Sequence, residues 1–390
     1  SNNGIGTSGI APDCSFMPIQ ISGNDGAFSS SDVIDGLLYA IKHNANVINL
    51  SLGKQILEQL KNSSIQNQEI ELFVCRKNNS VIGMFSVGKR SVFYNGKPKL
   101  IRYLSDLRIH PDYKNSLLLI KITRFIKTNI LSDNEFVYTV VFSENNIMTN
   151  IIAKVDRAWR DNKPLISRAS LPNYSFCGSY CSYMISLKNR RKTKKSTFLI
   201  RKAQKNDIIK MQLFFNQEAH KKQWYPCYDF NLLQENYYYG LSISDFYLAF
   251  EDDQIVGITG VWDQRRFKQT TVNSYTRSLK LVKPFINLIS KITKGFELPK
   301  TGKILNYFTI HAVLIKGNNR KIFKDIIEQI YKDNYQSEFS YFLCGLDKND
   351  SLCSIFNDFS KREVQGNIYS VSYDHSKKTL MPTNYYIEAA

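Results

Sequence analysis

Apolar and polar positions alternate along three successive stretches in the first half of the chain. The alternation predicts β-strands over Ile70–Arg76, Val81–Val87 and Ile101–Ile109, and the two asparagines at 78–79 predict a tight turn between the first two strands. A polar loop, HPDYKN, separates the third strand from SLLLIKITRFIKTNIL, an apolar run that predicts a buried helix. FVYTVVFS then predicts another strand, and a further helix starts at NNIMTNIIAKV.

The same order of elements returns after residue 198. FLIRKAQKNDIIKMQLFFNQEAH predicts a strand and an amphipathic helix, and DFYLAFEDDQIVGITGVWD predicts a hairpin that turns at residues 251–253. ILNYFTIHAVLI predicts a strand, KGNNRK a polar loop, IFKDIIEQIYKD a helix and FSYFLCGL a strand. Because the order occurs twice, we expect two domains of one fold, residues 54–187 and residues 198–390.

The first 53 residues follow a different pattern. FMPIQISGNDGAFSSSDVIDGLLYAIKHNANVINLSLG predicts strand, loop, helix and strand, with serines at 30–31 able to cap the helix. Between the two expected domains, residues 188–197 are predicted to form a basic linker. This stretch contains six basic side chains: Lys188, Arg190, Arg191, Lys192, Lys194 and Lys195. Such a run is typical of a solvated linker, and binding of an acidic partner is the alternative.

Composition narrows the class of protein. With 43% hydrophobic and 13% aromatic residues the chain suits a globular fold, and no stretch of eighteen apolar residues predicts a membrane span. The net charge of +18, from 52 basic and 34 acidic residues, favours a polyanionic partner: a nucleic acid, a phosphate-bearing cofactor, an acidic carrier protein or an acidic membrane surface. No RNA-binding aromatic motif or helix-turn-helix is recognisable, so nucleic acid is the less favoured partner.

The seven cysteines are scattered and odd in number, without a CxxC pair. This usage predicts a reduced, cytoplasmic protein without a bound metal. The chain opens without the charged and apolar pattern of a signal peptide, which agrees with that expectation.

The opening GIGTSGIAPD, followed by MPIQ, a helix and NVINLSLG, resembles the subtilisin-like (subtilase) proteases. The resemblance covers about residues 3–53, the part of a subtilase between its catalytic His region and its oxyanion-hole Asn region. A serine protease needs a nucleophile, a base and an orienting acid. The family's segments with those residues are not recognisable in this sequence. We therefore expect residues 1–53 to be a non-catalytic fragment that packs on the next domain, or a docking module, and the protein not to be a protease.

YLSDLRIHPDYKNSLLLIKI, residues 103–122, resembles the fourth strand, pyrophosphate loop and following helix of the GCN5-related N-acetyltransferases (GNATs). The second half resembles them too, as a tandem copy. The resemblance implies an α+β or α/β fold of two mixed-sheet domains behind a βαβ segment. In that fold the fourth and fifth strands separate, the pantetheine arm of an acyl thioester enters the gap, and loop amides at a helix N-terminus bind the pyrophosphate.

The pyrophosphate loops depart from the family pattern. Lys114 keeps a basic position, but Leu117 and Leu119 stand where the family has glycines, and side chains there would crowd a phosphate. The second copy, KGNNRK at 316–321, keeps one glycine and three basic residues. The resemblance implies that the acyl thioester is bound by these residues: Ile109, Lys114, Asn115, Ser116, Leu117, Asn145, Asn146, Lys316, Gly317 and Arg320. For Asn145 and Asn146 a helix cap is the alternative role.

Acyl transfer to an amine requires a base, because an ammonium group with a pKa of about 10.4 must first lose a proton. The family often places an acidic residue near the fourth strand, and the matching positions are Ser105 and Asp106. Asp106 is the first candidate for the base, and an ion pair with Arg108 or Lys114 is the alternative. His311 is a candidate in the second copy, where a structural role is the alternative.

These patterns predict an N-acyltransferase that uses an acyl-CoA or acyl-carrier-protein thioester as co-substrate and holds no permanent cofactor. Loss of the loop glycines favours a fatty acyl donor. The acceptor is expected to be an amine, for example a Lys or ornithine-like side chain of a ribosomally made peptide. The distinctive stretch WDQRRFKQTTVNSY, residues 262–275, is predicted to be a strand that lines a channel or an ordinary half-buried strand. The alternative function is a degenerate GNAT-like module that binds an acidic protein, a peptide or nucleic acid.

Overall fold

The structure is a computed structural model. It describes residues 69–77, 80–113, 117–131, 135–160, 171–188, 196–235, 238, 240–265, 270, 272, 274–293 and 297–373. The subtilase-like segment, residues 1–53, lies outside the described residues. The same holds for the asparagine turn at 78–79 and for most of the basic run, residues 189–195.

The first half of the described chain is a β-meander followed by helices and two further strands. The apolar and polar alternation predicted its strands β1 to β4, although β2 and β3 extend further than expected. β5 was not predicted. The elements are β1 (Glu69–Lys77), β2 (Ser80–Tyr94), β3 (Lys97–Ile109), α1 (Leu118–Phe125, continued by a π-helical turn at Ile126–Ile130), β4 (Phe136–Phe142), α2 (Asn146–Arg160) and β5 (Asn173–Ser186).

The second half repeats this order, preceded by an extra strand and helix, and adds a long helix within its meander. The hairpin turns where it was predicted, at Asp252 and Asp253, which both have positive φ. The elements are β6 (Leu199–Lys202), α3 (Ile208–Glu218), β7 (Phe246–Glu251), β8 (Gln254–Trp262), α4 (Arg277–Thr293), β9 (Tyr307–Ile315), α5 (Arg320–Asn334), β10 (Tyr341–Asp347), a 3₁₀ helix (Ser351–Asp358) and β11 (Lys361–Ser372).

The predicted strand over residues 262–275 is wrong for the part that the structure describes. β8 ends at Trp262, and the described residues between Asp263 and Thr276 are irregular. Helix α4 and strand β11 were not predicted at all.

All eleven strands of the described chain form one sheet, in the order β1-β2-β3-β4-β11-β5-β10-β9-β8-β7-β6. Neighbours are antiparallel except for two parallel pairs, β3 with β4 and β9 with β10. The order reads nearly the same from either edge, since each half contributes an antiparallel meander that ends in a parallel pair. This arrangement confirms the predicted α+β fold with two mixed-sheet units in tandem.

The two halves exchange their last strands at the centre of the sheet. β5 of the first half pairs with β10 of the second, and β11 of the second pairs with β4 of the first. β5 and β11 also pair with each other along twelve registered positions, Lys361–Ser372 of β11. Without these exchanged strands, β4 and β10 would be edge strands with unpaired backbone groups. Each unit therefore depends on the other for a complete sheet.

Helices cover both faces of the second unit. α5 and the 3₁₀ helix bury Phe323, Ile326 and Phe356 against β9 and β10, whereas α3 packs Met211 and Phe215 on the opposite face. In the first unit α1 covers one face through a cluster that includes Ile122 and Phe85. The opposite face of the first unit is covered by aromatic residues, and the candidate site lies there.

The exchange generates a prediction at Gly366 of β11. A Cβ at this position would lie 2.6 Å from the Tyr180 hydroxyl oxygen, and the Tyr180 ring is buried in the adjacent strand. Gly366→Ala should therefore lower the free energy of unfolding by about 2 kcal/mol, measured by urea denaturation. In a Tyr180→Leu background the same substitution should cost clearly less. An equal cost in both backgrounds would contradict the proposed clash.

Candidate active site

A gap opens in the first unit where the parallel strands separate. The described pairing of β3 with β4 runs from Ile101 opposite Phe136 to Leu104 opposite Thr139 and then stops. The Thr139 hydroxyl donates to the Leu104 carbonyl oxygen at 2.9 Å and closes the end of the paired section. β9 and β10 separate in the same way after three registered pairs. The separation of the strands is the feature that the GNAT resemblance implies.

A β-bulge lies beside each gap. Asp106 and Leu107 of β3 oppose the single residue Phe85 of β2, because the register shifts between Met84 and Ser86. In the second unit Ala312 and Val313 of β9 oppose one residue of β8. Asp106 has φ 55° and Ala312 has φ 51°, so both bulges use a left-handed residue. A non-glycine residue in this conformation costs energy, and such strain often accompanies functional sites.

Asp106 is held by two serine hydroxyls. Ser86 Oγ donates to Asp106 Oδ2 at 2.7 Å, and Ser105 Oγ donates to the same oxygen at 3.2 Å. The two hydroxyl oxygens are 2.7 Å apart. Ser86 is buried, whereas Asp106 is exposed. The two serines thus fix the carboxylate, while the residue stays exposed to solvent. A base that takes a proton from a substrate needs both a fixed position and access.

Aromatic and basic side chains pack on one face of the paired section of β3 and β4, next to the gap. Tyr103 stacks on Tyr138 with ring centroids 4.8 Å apart, and the buried Arg90 guanidinium lies 5.3 Å from the Tyr138 ring. Trp224, from the second half of the chain, packs on Tyr138 at 5.0 Å and on Phe136 at 5.3 Å. Burial raises the pKa of both Tyr103 and Tyr138, so their hydroxyls stay protonated at neutral pH.

The equivalent region of the second unit is closed. His311 occupies the position that Ser105 has in β3, and it is 1% exposed. Its Nε2 contacts the Tyr228 hydroxyl, and the rings of Tyr238 and Trp262 lie 5.9 and 5.0 Å away. Burial lowers the pKa of His311 to about 3, so the imidazole is neutral. The surroundings favour the structural alternative, and a catalytic role for His311 stays a prediction.

The two units therefore differ in access. In the first unit Asp106, Leu107 and Arg108 are exposed along the separated part of β3. In the second unit every residue from Ile310 to Ile315 is buried. Of the two described gaps, the one in the first unit has exposed residues along its separated strand.

The residues predicted to bind the thioester are scattered between described and undescribed parts. Lys114, Asn115 and Ser116 lie outside the described residues. Leu117 is 67% exposed, and Ile109 is half-buried against the α1 cluster. The roles of these five residues stay predictions.

The loop of the second unit is described. Lys316, Gly317 and Arg320 are exposed, and Gly317 has φ 57°, a conformation that suits glycine. Asn318 Nδ2 donates to Asp350 Oδ1 at 2.6 Å, which ties this loop to the 3₁₀ helix. The exposed basic residues thus surround the start of α5.

Asn145 caps helix α2. Its Oδ1 accepts from the Met148 amide at 3.1 Å, and Asn146 is the exposed first residue of the helix. The structure shows the alternative role for Asn145. A contact of either asparagine with pantetheine stays a prediction.

Sequence reasoning did not identify four residues of the site: Ser86, Arg90, Tyr138 and Trp224. Ser86 is found only through its register opposite Ser105, and Trp224 is distant from the other three in sequence. In the described residues no group of His, Cys, Asp or Glu is placed to hold a metal ion. None of the described helices is long and apolar enough to cross a membrane.

Comparison with known proteins gives two kinds of similarity. The model of the subtilase family matches residues 1–183, a little under half of the chain. A thermostable alkaline protease of Halalkalibacterium halodurans is 33% identical over 87 residues, which are 22% of this chain. The chain spans about a fifth of the length of that protease. From Glu69 onward, the matched range forms strands that pair within the eleven-stranded sheet. The prediction that the chain is not a protease stays a prediction.

Solved structures with a similar architecture are acyltransferases. A GCN5-related N-acetyltransferase of Sphaerobacter thermophilus is 11% identical, with a TM-score of 0.48, over 89% of this chain and 93% of that one. The N-myristoyltransferase of Saccharomyces cerevisiae with bound myristoyl-CoA is 11% identical, with a TM-score of 0.47, over 88% and 76%. A related N-acetyltransferase of Anabaena variabilis is 13% identical, with a TM-score of 0.42, over 89% and 72%. With TM-scores below 0.5, the fold assignment rests on the strand order and the two parallel pairs.

The buried imidazole generates a prediction about pH. Because His311 has a folded pKa of about 3, below its ordinary 6.5, protonation favours the unfolded chain. This contribution to stability is present above pH 6.5 and is lost as the pH falls towards 3. Between pH 7 and pH 4 it amounts to about 3 kcal/mol. His311→Gln should flatten the fall in unfolding free energy over this range, measured by urea denaturation.

The control for this experiment is His110→Gln, which replaces an exposed imidazole. Because His311 is still present in this variant, the fall in unfolding free energy between pH 7 and pH 4 should remain. If His311→Gln retained the full wild-type slope, the imidazole would not be buried in its neutral form.

Proposed function

We propose that the protein is an N-acyltransferase whose reaction takes place in the gap between β3 and β4. The observation that carries the proposal is the exposed carboxylate of Asp106, fixed on a strained bulge by two hydroxyls where parallel strands separate. The tandem architecture supports transfer of an acyl group from a thioester. The open first unit supports its assignment as the working unit, and the second unit acts as a scaffold.

The reaction begins with a neutral amine, since the Asp106 carboxylate takes the proton of the incoming ammonium group. The amine nitrogen then attacks the thioester carbonyl carbon, and the carbonyl oxygen gains the negative charge. Backbone N–H groups on the unpaired edge of β3, beyond Leu104, can stabilise this oxyanion. Collapse of the intermediate breaks the carbon–sulfur bond, and the leaving thiolate takes up the second proton that the attacking nitrogen releases as the amide forms. An amide and a free thiol are the products.

We further propose a fatty acyl donor, carried by coenzyme A or by a carrier protein. The exposed Leu117 offers an apolar side chain to an acyl chain at the loop where the thioester is expected to bind. The proposed acceptor is a Lys or ornithine-like side chain of a ribosomally made peptide, in the cytoplasm. The net charge of +18 suits a phosphate-bearing donor and an acidic leader segment on such a peptide.

A binding module is the second candidate. The closed gap around His311 supports it, because one of the two units has no open site in the described residues. In this alternative the first unit would hold a peptide or an acidic protein without chemistry. Acyl transfer and thioester binding separate the two candidates.

Replacing the base tests the mechanism. Asp106→Asn keeps the shape of the side chain and its acceptor oxygen, but an amide cannot take the proton. We expect the rate of amide formation, followed by mass spectrometry with a lysine-containing peptide and acyl-CoA, to fall by about 10²–10⁴.

The matched control is Asp252→Asn. Asp252 also has positive φ but lies in the β7–β8 turn, so its replacement should leave the rate unchanged. Full activity of Asp106→Asn would remove Asp106 from the mechanism. No amide from any donor with the wild-type protein would favour the binding module.

The donor is tested by thermal stabilisation. At fixed salt, coenzyme A thioesters from acetyl to palmitoyl should raise the melting temperature by an amount that grows with chain length and exceeds the effect of free coenzyme A, because a ligand that binds the folded state stabilises it. A maximum at acetyl would contradict the fatty acyl donor. No shift with any thioester would leave a carrier protein as the donor to be tested in the same assay.

A further inference from the structure

Helix α4 exposes its apolar side chains. Leu281 is 77% and Phe285 is 67% exposed, and Leu288 continues their row at helical spacing. Val282 and Ile289 widen this row by one position and are also exposed. These five side chains define the α4 apolar face. A continuous apolar surface of this kind is uncommon on the outside of a protein and marks an interaction site.

The opposite side of α4 packs on the protein through polar contacts. Asn287 donates to the Leu298 carbonyl oxygen at 3.1 Å and accepts from the Leu298 amide at 2.8 Å. Lys283 donates to the Pro299 carbonyl oxygen, and its ammonium group lies 4.4 Å from the Tyr275 ring centroid. Ser290 is buried on the same side. The helix is therefore reversed relative to an ordinary surface helix, since hydrogen bonds fix it to the protein and its apolar side faces outward.

The charge of α4 is of one sign. Its sequence, RSLKLVKPFINLISKIT, contains four basic residues and no acidic residue. Arg277 and Lys280 are exposed and lie beside the apolar face, one turn or less from Leu281. A helix with an apolar face and basic flanks suits the interface of an anionic bilayer, where apolar side chains enter the acyl region and cations meet the phosphate groups. A second copy of this chain would instead bring like charges together.

We propose that α4 docks the protein on the surface of an anionic lipid bilayer through its apolar face, without crossing the membrane. The geometry favours a shallow insertion, since the helix is already anchored on its polar side by Lys283 and Asn287. This inference does not depend on the acyl transfer proposed above, because it concerns binding to lipid.

Co-sedimentation with vesicles tests the proposal. The full chain should bind vesicles of phosphatidylglycerol and phosphatidylcholine more tightly than vesicles of phosphatidylcholine alone, and the binding should weaken as salt rises. Leu281→Glu/Phe285→Glu should weaken binding by at least about tenfold, since it removes two inserting side chains and adds negative charge. Circular dichroism checks that the variant is folded, which the exposure of both residues favours.

The matched control is Ile209→Glu/Leu213→Glu on α3. These two side chains are 74% and 58% exposed, and the double substitution changes the charge by the same amount. It should bind vesicles like the wild type. As a direct readout, Phe285→Trp should be quenched by brominated lipid more strongly than the wild type.

Three outcomes would overturn the proposal. The first is a wild-type chain that binds none of the vesicles. The second is an equal loss of vesicle binding in the α4 and α3 variants. This result would show that binding depends on net charge and not on the α4 apolar face. The third is a wild-type chain that is dimeric and binds no vesicles, together with an α4 variant that is monomeric. This result would show that a second copy covers the α4 apolar face.

Discussion

The separated part of β4 is held in the sheet by a strand from the far end of the chain. Beyond Thr139, β4 leaves its parallel partner β3, while its opposite edge stays paired. The partner on that edge is β11, since Gly366–Ser370 pairs with Tyr138–Phe142. The strand that borders the gap beside Asp106 is thus fixed by an antiparallel ladder with residues more than two hundred positions later in the chain. The same exchange places β5 beside β10, so that neither parallel pair is left with an open edge.

The two bulges have the same backbone conformation, but one leaves its side chain accessible and the other lies in a filled region. Both units place a left-handed residue after the end of the parallel pair, but the first has Asp106 between serines and the second has Ala312 beside His311. An alanine in this conformation has no side-chain hydrogen bond to offset its strain, and the aromatic packing around His311 offsets it instead. In the first unit the hydrogen bonds of Ser86 and Ser105 hold the strained residue, and its carboxylate stays accessible. Access therefore follows from side chains rather than from topology.

The sequence predicts the local elements of this fold better than their arrangement. Alternation identifies β2 and β9, and the repeated order identifies two units, because both depend on short-range patterning. The strands β5 and β11 were not predicted. Their partners are distant in sequence, and β5, NYSFCGSYCSYMIS, mixes small, polar and aromatic residues without a regular alternation. Asp106 was accessible to a family pattern, whereas Ser86 and Arg90 join the site only through register. Helix α4 was missed although its apolar residues have helical spacing, and the outward orientation of that row follows only from the packing of the helix.

The aromatic cluster beside the gap is in turn positioned by the second half of the chain. A segment around Trp224 lies along β2: the Trp224 amide donates to the Phe93 carbonyl oxygen at 2.7 Å, and the Phe93 amide donates to the Tyr225 carbonyl oxygen at 2.9 Å. Gln223 adds a reciprocal pair of hydrogen bonds with Asn95. Trp224 itself has φ 62°, a strained conformation for a bulky residue, and its ring is fully buried on Phe136 and Tyr138. Burial of this large ring offsets the strain and fixes the two β4 aromatic residues, Phe136 and Tyr138, in the section that pairs with β3 beside the gap. The second unit thus contributes to the site as a rigid support, even though its own gap is filled.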